Sequence, residues 1–218
     1  MFNLKIVLLL LLITTYQVKA VGLTGNTSGG FLVDGGGEVP SFQWGEARSF
    51  GGGRSSLAIV GKNGFAMNNN QPFEIAELTY NNTDIKTATS FSSSFSSVNL
   101  DMILNYADSS SFGIYNFSAD IEIIETSNGN IDSDDTVSVL LDSDVSPVFS
   151  INGTDYIFEF LGFSNGNGGF DQSFIQAEGS SSSASFYAKV TAVPVPAALW
   201  LFMTALTGFF MTSDRKRR

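Results

Sequence analysis

The chain has 218 residues, contains no Cys and no His, and carries a formal net charge of −10. That length suits one ordinary domain with targeting segments. The missing residue types exclude a disulfide framework, a thiolate nucleophile, an imidazole base and zinc sites built on those ligands. Between Val21 and Pro196 five basic residues stand against 20 acids, a net −15, and this argues against nucleic acid as a partner, because phosphate binding needs clustered Lys and Arg.

Residues 1–20 have the parts of a secretory signal peptide: Lys5 in a short basic region, an apolar run from Ile6 to Ile13, and Val18-Lys19-Ala20 as a cleavage site cut after Ala20. An apolar run of eight residues, at ~1.5 Å each, falls short of a hydrocarbon core of ~30 Å, so the segment reads as removed on export and not as an anchor.

Residues 21–40 are rich in Gly and Ser and read as a leader to the domain, which is placed at 41–192. The triple glycine of Gly51-Gly52-Gly53-Arg54-Ser55-Ser56 lacks the Gly-Lys-Ser/Thr ending of a phosphate loop and reads as a connection between strands. Farther on, Val98, Leu100, Met102, Leu104 and Tyr106 form one alternating set, and Tyr115, Phe117, Ala119, Ile121 and Ile123 form another. A period of two puts each set on one face of a strand. Shorter candidates are Phe73-Glu74-Ile75 and the stretches 137–141, 154–160 and 185–190, with turns predicted at Asn152-Gly153 and at residues 165–169. No long segment before Pro194 has helical period, so the predicted class is all-β, a two-sheet antiparallel sandwich with a jelly roll as one arrangement.

Three patterns bear on chemistry. Residues 128–135 place Asn130, Asp132 and Asp134 at alternate positions, which suits Ca²⁺, but the stretch lacks the full EF-hand spacing and its terminal Glu, and an acidic hairpin turn accounts for the same residues without metal. No cofactor is expected otherwise. Glu74, Glu77, Glu122, Glu125, Glu159 and Glu178 offer carboxylate pairs of the kind that hydrolyse glycosides, yet nothing selects a pair, and acids in stretches such as Asp120-Ile121-Glu122-Ile123 are more simply a solvated face. The chain is therefore read as non-enzymatic, with a glycan-hydrolysing sandwich as the alternative. Phe42 and Trp44 would give a second form of that alternative, a lectin, if both rings lay exposed for stacking on sugars.

Residues 193–212 carry no charge, long enough to span a bilayer once, and are followed by Asp214 and by Arg215-Lys216-Arg217-Arg218. By the positive-inside rule that basic tail stays cytoplasmic and the domain lies outside.

Val193-Pro194-Val195-Pro196-Ala197-Ala198-Leu199-Trp200-Leu201-Phe202, followed by the apolar run and the basic cluster, resembles the PEP-CTERM sorting segment in its VPLPA-type form. The resemblance implies cutting near the proline motif, Val193 to Ala197, by an exosortase-type membrane protease of a Gram-negative, exopolysaccharide-making bacterium. It covers about the last 26 residues; Met203-Thr204-Ala205-Leu206-Thr207-Gly208 replaces the Gly-Ser-Gly stretch common in that family. A second ordered set is Ser41-Phe42-Gln43-Trp44-Gly45, Leu78-Thr79-Tyr80-Asn81-Asn82, Glu125-Thr126-Ser127-Asn128, Asn152-Gly153-Thr154-Asp155-Tyr156 and Leu161-Gly162-Phe163. It resembles the choice-of-anchor K, or THxN-type, ectodomain over residues 42–191. That family has His after Thr where this chain has Tyr80, so no imidazole role carries over. Together the resemblances imply an envelope or matrix protein engaged in surface adhesion or exopolysaccharide association.

Overall fold

The computed structural model describes residues 23–33, 37–48, 52–86, 95–107, 112–124, 134–140, 148–151 and 153–193, together with Phe202 and Ala205. Gly22–Ala192 forms one compact unit. Within it the chain is all-β and folds into two antiparallel sheets.

The first sheet takes in β1 (Leu23–Val33), β2 (Gly37–Val39), β6 (Asn63–Met67), β9 (Phe95–Ala107), β10 (Phe112–Ile124), β11 (Asp135–Leu140) and β15 (Ser173–Gln176). Its order is β15-β11-β10-β9-β1-β2, with β6 beside the start of β1. The second takes in β3 (Ser41–Trp44), β5 (Ser55–Gly61), β7 (Pro72–Asn81), β12 (Val148–Ile151), β13 (Thr154–Ser164), β14 (Phe170–Asp171) and β16 (Ser181–Ala192). Here the order is β12-β13-β16-β7-β5-β3, with β14 beside the end of β13. A small ribbon joins β4 (Glu46–Ala47) to β8 (Ile85–Lys86).

The two alternating runs become the neighbouring strands β9 and β10, in which Met102 faces Phe117 and Leu104 faces Tyr115 across the ladder. Met102, Phe117, Ile121 and Ile123 are buried, and the intervening Asn116, Ser118 and Asp120 are exposed, which is the hydrophobic-in, polar-out pattern that antiparallel pairing demands. Of the predicted Asn152-Gly153 turn, Asn152 lies outside the described residues; Gly153, just before β13, takes φ 77°, a left-handed conformation that glycine adopts without steric cost. Of the short strand candidates, 73–75, 154–160 and 185–190 lie inside β7, β13 and β16, and 137–140 lies inside β11, with Leu141 outside the described residues.

Phenylalanine fills the space between the sheets. Phe117 of the first sheet stands 4.7 Å from Phe158 of the second, Phe174 stands 4.9 Å from Phe163, and Phe31 stands 5.1 Å from Phe42. Full burial of each such ring stabilises by ~1.5–3 kcal/mol relative to exposure. With no Cys in the chain, this aromatic seam supplies the cross-links that a disulfide would otherwise provide.

Residues 23–33, expected as part of a leader, instead form β1, a strand flanked on both edges, and the folded unit begins there and not at residue 41. The physical reason is close packing. Gly25 lies against the ring of Phe65 and the end of Met67, so the large side chains that cover this part of β1 come from β6. Leu23 is 1 % exposed and Phe31 fully buried. Residues 181–183 open β16, where Ser183 faces Thr79 and the two hydroxyls lie 2.7 Å apart.

Candidate functional site

The chain crosses from the first sheet to the second in the turn between β15 and β16, and polar groups gather at that crossing. The turn is closed by the Ser180 amide donating to the Ala177 carbonyl at 3.2 Å, and Gly179 takes φ 70°, so Glu178 is held at its tip. Asn82, at the end of β7, ties the turn down at two points. Its backbone N–H donates to the Ser180 carbonyl at 2.9 Å, and its side-chain Nδ2 donates to the Gln176 carbonyl at 3.2 Å. The Gln176 side chain in turn bonds Ser180 and Ser182.

The same corner receives β11. Asp135, its first residue, faces Gln176 across the ladder, and its Oδ2 accepts a 2.6 Å hydrogen bond from the hydroxyl of Tyr80. Both residues are fully buried, so this bond between β7 and β11 joins the two sheets through a charge-assisted contact. On the outer side, Asp84 pairs with Arg48 at 3.3 Å.

Glu178 is the electrostatic outlier. Its two carboxylate oxygens have almost no accessible surface and make no side-chain hydrogen bond, and the neighbouring Gly179 backbone N–H is the donor that acts on them. Burial pushes its pKa up from 4.5, and the charges of Asp135 and Asp84 push it further; Gly179 and Arg48 offset part of this. Asn82 is 1 % exposed, yet its Oδ1 has no hydrogen-bond partner.

A raised carboxyl pKa has a definite consequence for stability. The folded state favours the protonated form, so this contribution is fully present below the unfolded value and is lost as pH rises through the folded one. Glu178→Gln is therefore expected to melt above wild type at about pH 7 and together with it at about pH 4. Thermal unfolding by near-ultraviolet circular dichroism checks this, and equal melting points at both pH values would refute it.

The other singled-out residues lie apart from this corner. Trp44 is buried, 4 % exposed, and stacks on Tyr80 at 5.6 Å with an interplanar angle of 16°, so it offers sugars no platform; it belongs to the wall behind the Tyr80–Asp135 bond. The first two stretches of the ectodomain resemblance thus meet in space. Residues 125–128 lie outside the described residues. Tyr156 and Phe163 are both buried on β13. Glu74 and Glu77 share Lys62 at 3.1 and 3.6 Å, and Glu159 pairs with Lys189 at 3.1 Å, an arrangement of a solvated face. A groove of about 330 Å³ on the first sheet, lined by Glu38, Ile103, Asn116 and Ser118 among others, contains a single carboxylate.

Of the sequence-predicted Ca²⁺ ligands, Asp134 is exposed, and Asn130 and Asp132 lie outside the described residues. Among the described residues no three acidic side chains stand close enough to hold a metal between them. Val193 is described and exposed, while Ala20, Pro194, Val195, Pro196, Ala197, Arg215, Lys216, Arg217 and Arg218 lie outside the described residues. No helix among the described residues is long and apolar enough to cross a membrane.

No protein-family model matches the chain, and no curated protein matches it at a significant level.

Proposed function

We propose that this chain is an exported envelope or extracellular-matrix protein without enzymatic activity. Its signal peptide ends at Ala20, and its C-terminal segment is a sorting signal, cut near Val193 to Ala197 by an exosortase-type protease while the apolar run and the Arg215 to Arg218 tail hold it in the membrane. The displayed domain serves surface adhesion or exopolysaccharide association.

The observation that carries this reading is the fit between the linear signals and the folded unit. Among the described residues, buried packing runs from Leu23, three residues after Ala20, to Ala192, the residue before the proline motif. Val193, its first residue, is 37 % exposed. Both cuts would therefore fall outside the compact unit Gly22–Ala192 in the sequence and outside every strand from β1 to β16. A domain with no Cys and a net −15 is also suited to display, since its stability needs no oxidant and its charge opposes self-association.

Mass spectrometry of the protein recovered from the envelope and medium of its native host tests the proposal. The expected termini are residue 21 and a residue between 194 and 197, the second appearing only when the exosortase-type protease is present. Recovery of intact Arg218 in the membrane fraction, unchanged in the protease-deficient host, would leave an ordinary tail-anchored surface domain instead.

A further inference from the structure

The strands of the first sheet contain no Lys and no Arg, and the outer face of this sheet carries the groove of about 330 Å³. The floor of the groove is the ladder between β9 and β10, where Ile103 faces Asn116 and Met102 faces Phe117. One wall is Glu38 of β2. Glu38 stands opposite Leu32 of β1, and its side chain lies across the next outward position, Gly30, where a Cβ would come within 2.8 Å of its Cγ. The glycine makes room for an exposed carboxylate to lie flat along the sheet at the side of the groove.

The polar groups of this groove are not used by the fold. Nearer the start of β1, the outward Thr24 hydroxyl donates to the Ala107 carbonyl at 3.4 Å, and Asn26 Oδ1 accepts from the Gly64 N–H at 2.7 Å. The side chains of Glu38, Asn116 and Ser118 make no hydrogen bond or ion pair among the described residues. Together they present a carboxylate that accepts, a carboxamide that donates and accepts, and a hydroxyl that does either. The surface continues along β10. Outward positions recur at every second residue, so Phe112, Ile114, Asn116 and Ser118 line one face of that strand over about 20 Å. Phe112 is 84 % exposed and Ile114 63 %.

We propose that this face binds a segment of an uncharged polysaccharide, laid along β10 with ring hydroxyls on Glu38, Asn116 and Ser118 and an apolar C–H face on Phe112 and Ile114. The site deepens the exopolysaccharide association proposed above and rests on that part of the reading. Charge selects the class of glycan. A phosphate, sulfate or uronate group would meet the Glu38 carboxylate with no Lys or Arg on any strand of the sheet to answer it, and like charges brought together cost affinity. Free donors and acceptors beside exposed apolar side chains suit a ring that has hydroxyls at its edge and C–H groups on its faces, the polar groups fixing orientation and the apolar ones supplying contact area. The length of the row favours a polymer over a single sugar. The exposed aromatic ring that Trp44 does not provide is thus supplied by Phe112, on the other sheet.

The test uses the full-length chain in a detergent without a sugar headgroup, titrated by calorimetry with dextran, galactomannan, a mixed-linkage glucan and the uncharged exopolysaccharide fraction of the native host. Alginate and chitosan serve as the anionic and cationic comparisons. Saturable binding of at least one uncharged polymer is expected, with none of alginate. Glu38→Gln removes a charged hydrogen-bond acceptor and is expected to weaken that binding about tenfold or more. Phe112→Ala, at an exposed position, is expected to weaken it about three- to tenfold. Val60→Ala removes an exposed apolar side chain from β5 of the second sheet and is expected to bind as wild type does. Circular dichroism confirms that all three variants fold. The proposal is overturned if no uncharged polymer binds, if alginate or chitosan binds more tightly than every uncharged one, if Glu38→Gln and Phe112→Ala bind as wild type does, or if Val60→Ala loses as much affinity as they do. Failure here leaves the expected termini untouched, and failure of the processing experiment leaves the groove able to bind, so the two results are read separately.

Discussion

Trp44→Ala should destabilise the fold by about 3–5 kcal/mol, the range for emptying a buried aromatic site. Trp44 lies on β3, the edge strand of the second sheet, and its buried ring helps to anchor that edge to the centre. It stacks on Tyr80 at 5.6 Å and meets Phe42 at 5.3 Å, and Phe42 in turn reaches Phe31 of the opposite sheet at 5.1 Å. Removing the indole leaves a cavity beside the fully buried Tyr80 and frees its ring to move. Its 2.6 Å bond to Asp135 is then held in place less well, and hydrogen bonds to charged groups contribute about 1.5–3 kcal/mol. Denaturant unfolding measures the effect as a lower midpoint at unchanged slope. Trp44→Phe, which keeps a ring over Tyr80, should recover at least half of the loss. A cost below about 1 kcal/mol for Trp44→Ala would mean that the edge of the sheet holds without its anchor. The same numbers govern any sugar-binding assay on this variant, because a loss of binding that follows the loss of fold says nothing about a lectin surface.

That case also marks what one sequence can and cannot express. The strands β9 and β10 were legible because each alternates large apolar with polar residues along its length, and because a burial pattern of period two is local information. β1 was not, although it lies in the interior of its sheet. Its inward positions include Gly25 and Thr27, and its apolar cover arrives from Phe65 and Met67, some forty residues away. No window of hydrophobicity on β1 itself can register side chains supplied by another strand. Tyr80 and Asp135 are 55 residues apart and share no motif. Asn82 was quoted only as part of a resemblance, and Glu178 only as one glutamate among six. What distinguishes those two is burial without a side-chain donor, a property that exists only after folding. The terminal signals are a different matter: they are read by cellular machinery as linear strings, so their meaning does not wait on the fold.

Gly61→Ala should cost about 3 kcal/mol or more, at the upper end of what overpacking does. Gly61 ends β5 in the second sheet, and two residues later the chain starts β6 in the first. At that corner Thr27 of β1 clasps the crossing. Its N–H donates to the Lys62 carbonyl at 2.8 Å, its hydroxyl accepts from the Lys62 N–H at 3.0 Å, and the same hydroxyl donates to the Ile75 carbonyl. These bonds pull the backbone of β1 onto Gly61, so that a Cβ placed there would stand 2.1 Å from the Thr27 carbonyl oxygen and 2.6 Å from its carbon. Both atoms belong to the main chain, and no rotamer change relieves the clash. Relief requires β1 to withdraw, which breaks the Thr27 bonds and opens the aromatic seam beside them. The glycine is needed for proximity and not for a left-handed φ, and this separates it from Gly64, whose φ is 72° with nothing within 4 Å of a Cβ. Gly64→Ala should accordingly cost only about 1 kcal/mol, from backbone strain alone. Gly37→Ala, with open space and no such φ, should fall within about 0.5 kcal/mol of wild type. Denaturation midpoints for the three variants order the effects as Gly61, Gly64, Gly37. If Gly61→Ala ranked with Gly37→Ala, the two sheets would have to separate freely at this corner, and the small residues of β1 would then reflect only a strand that nothing packs against.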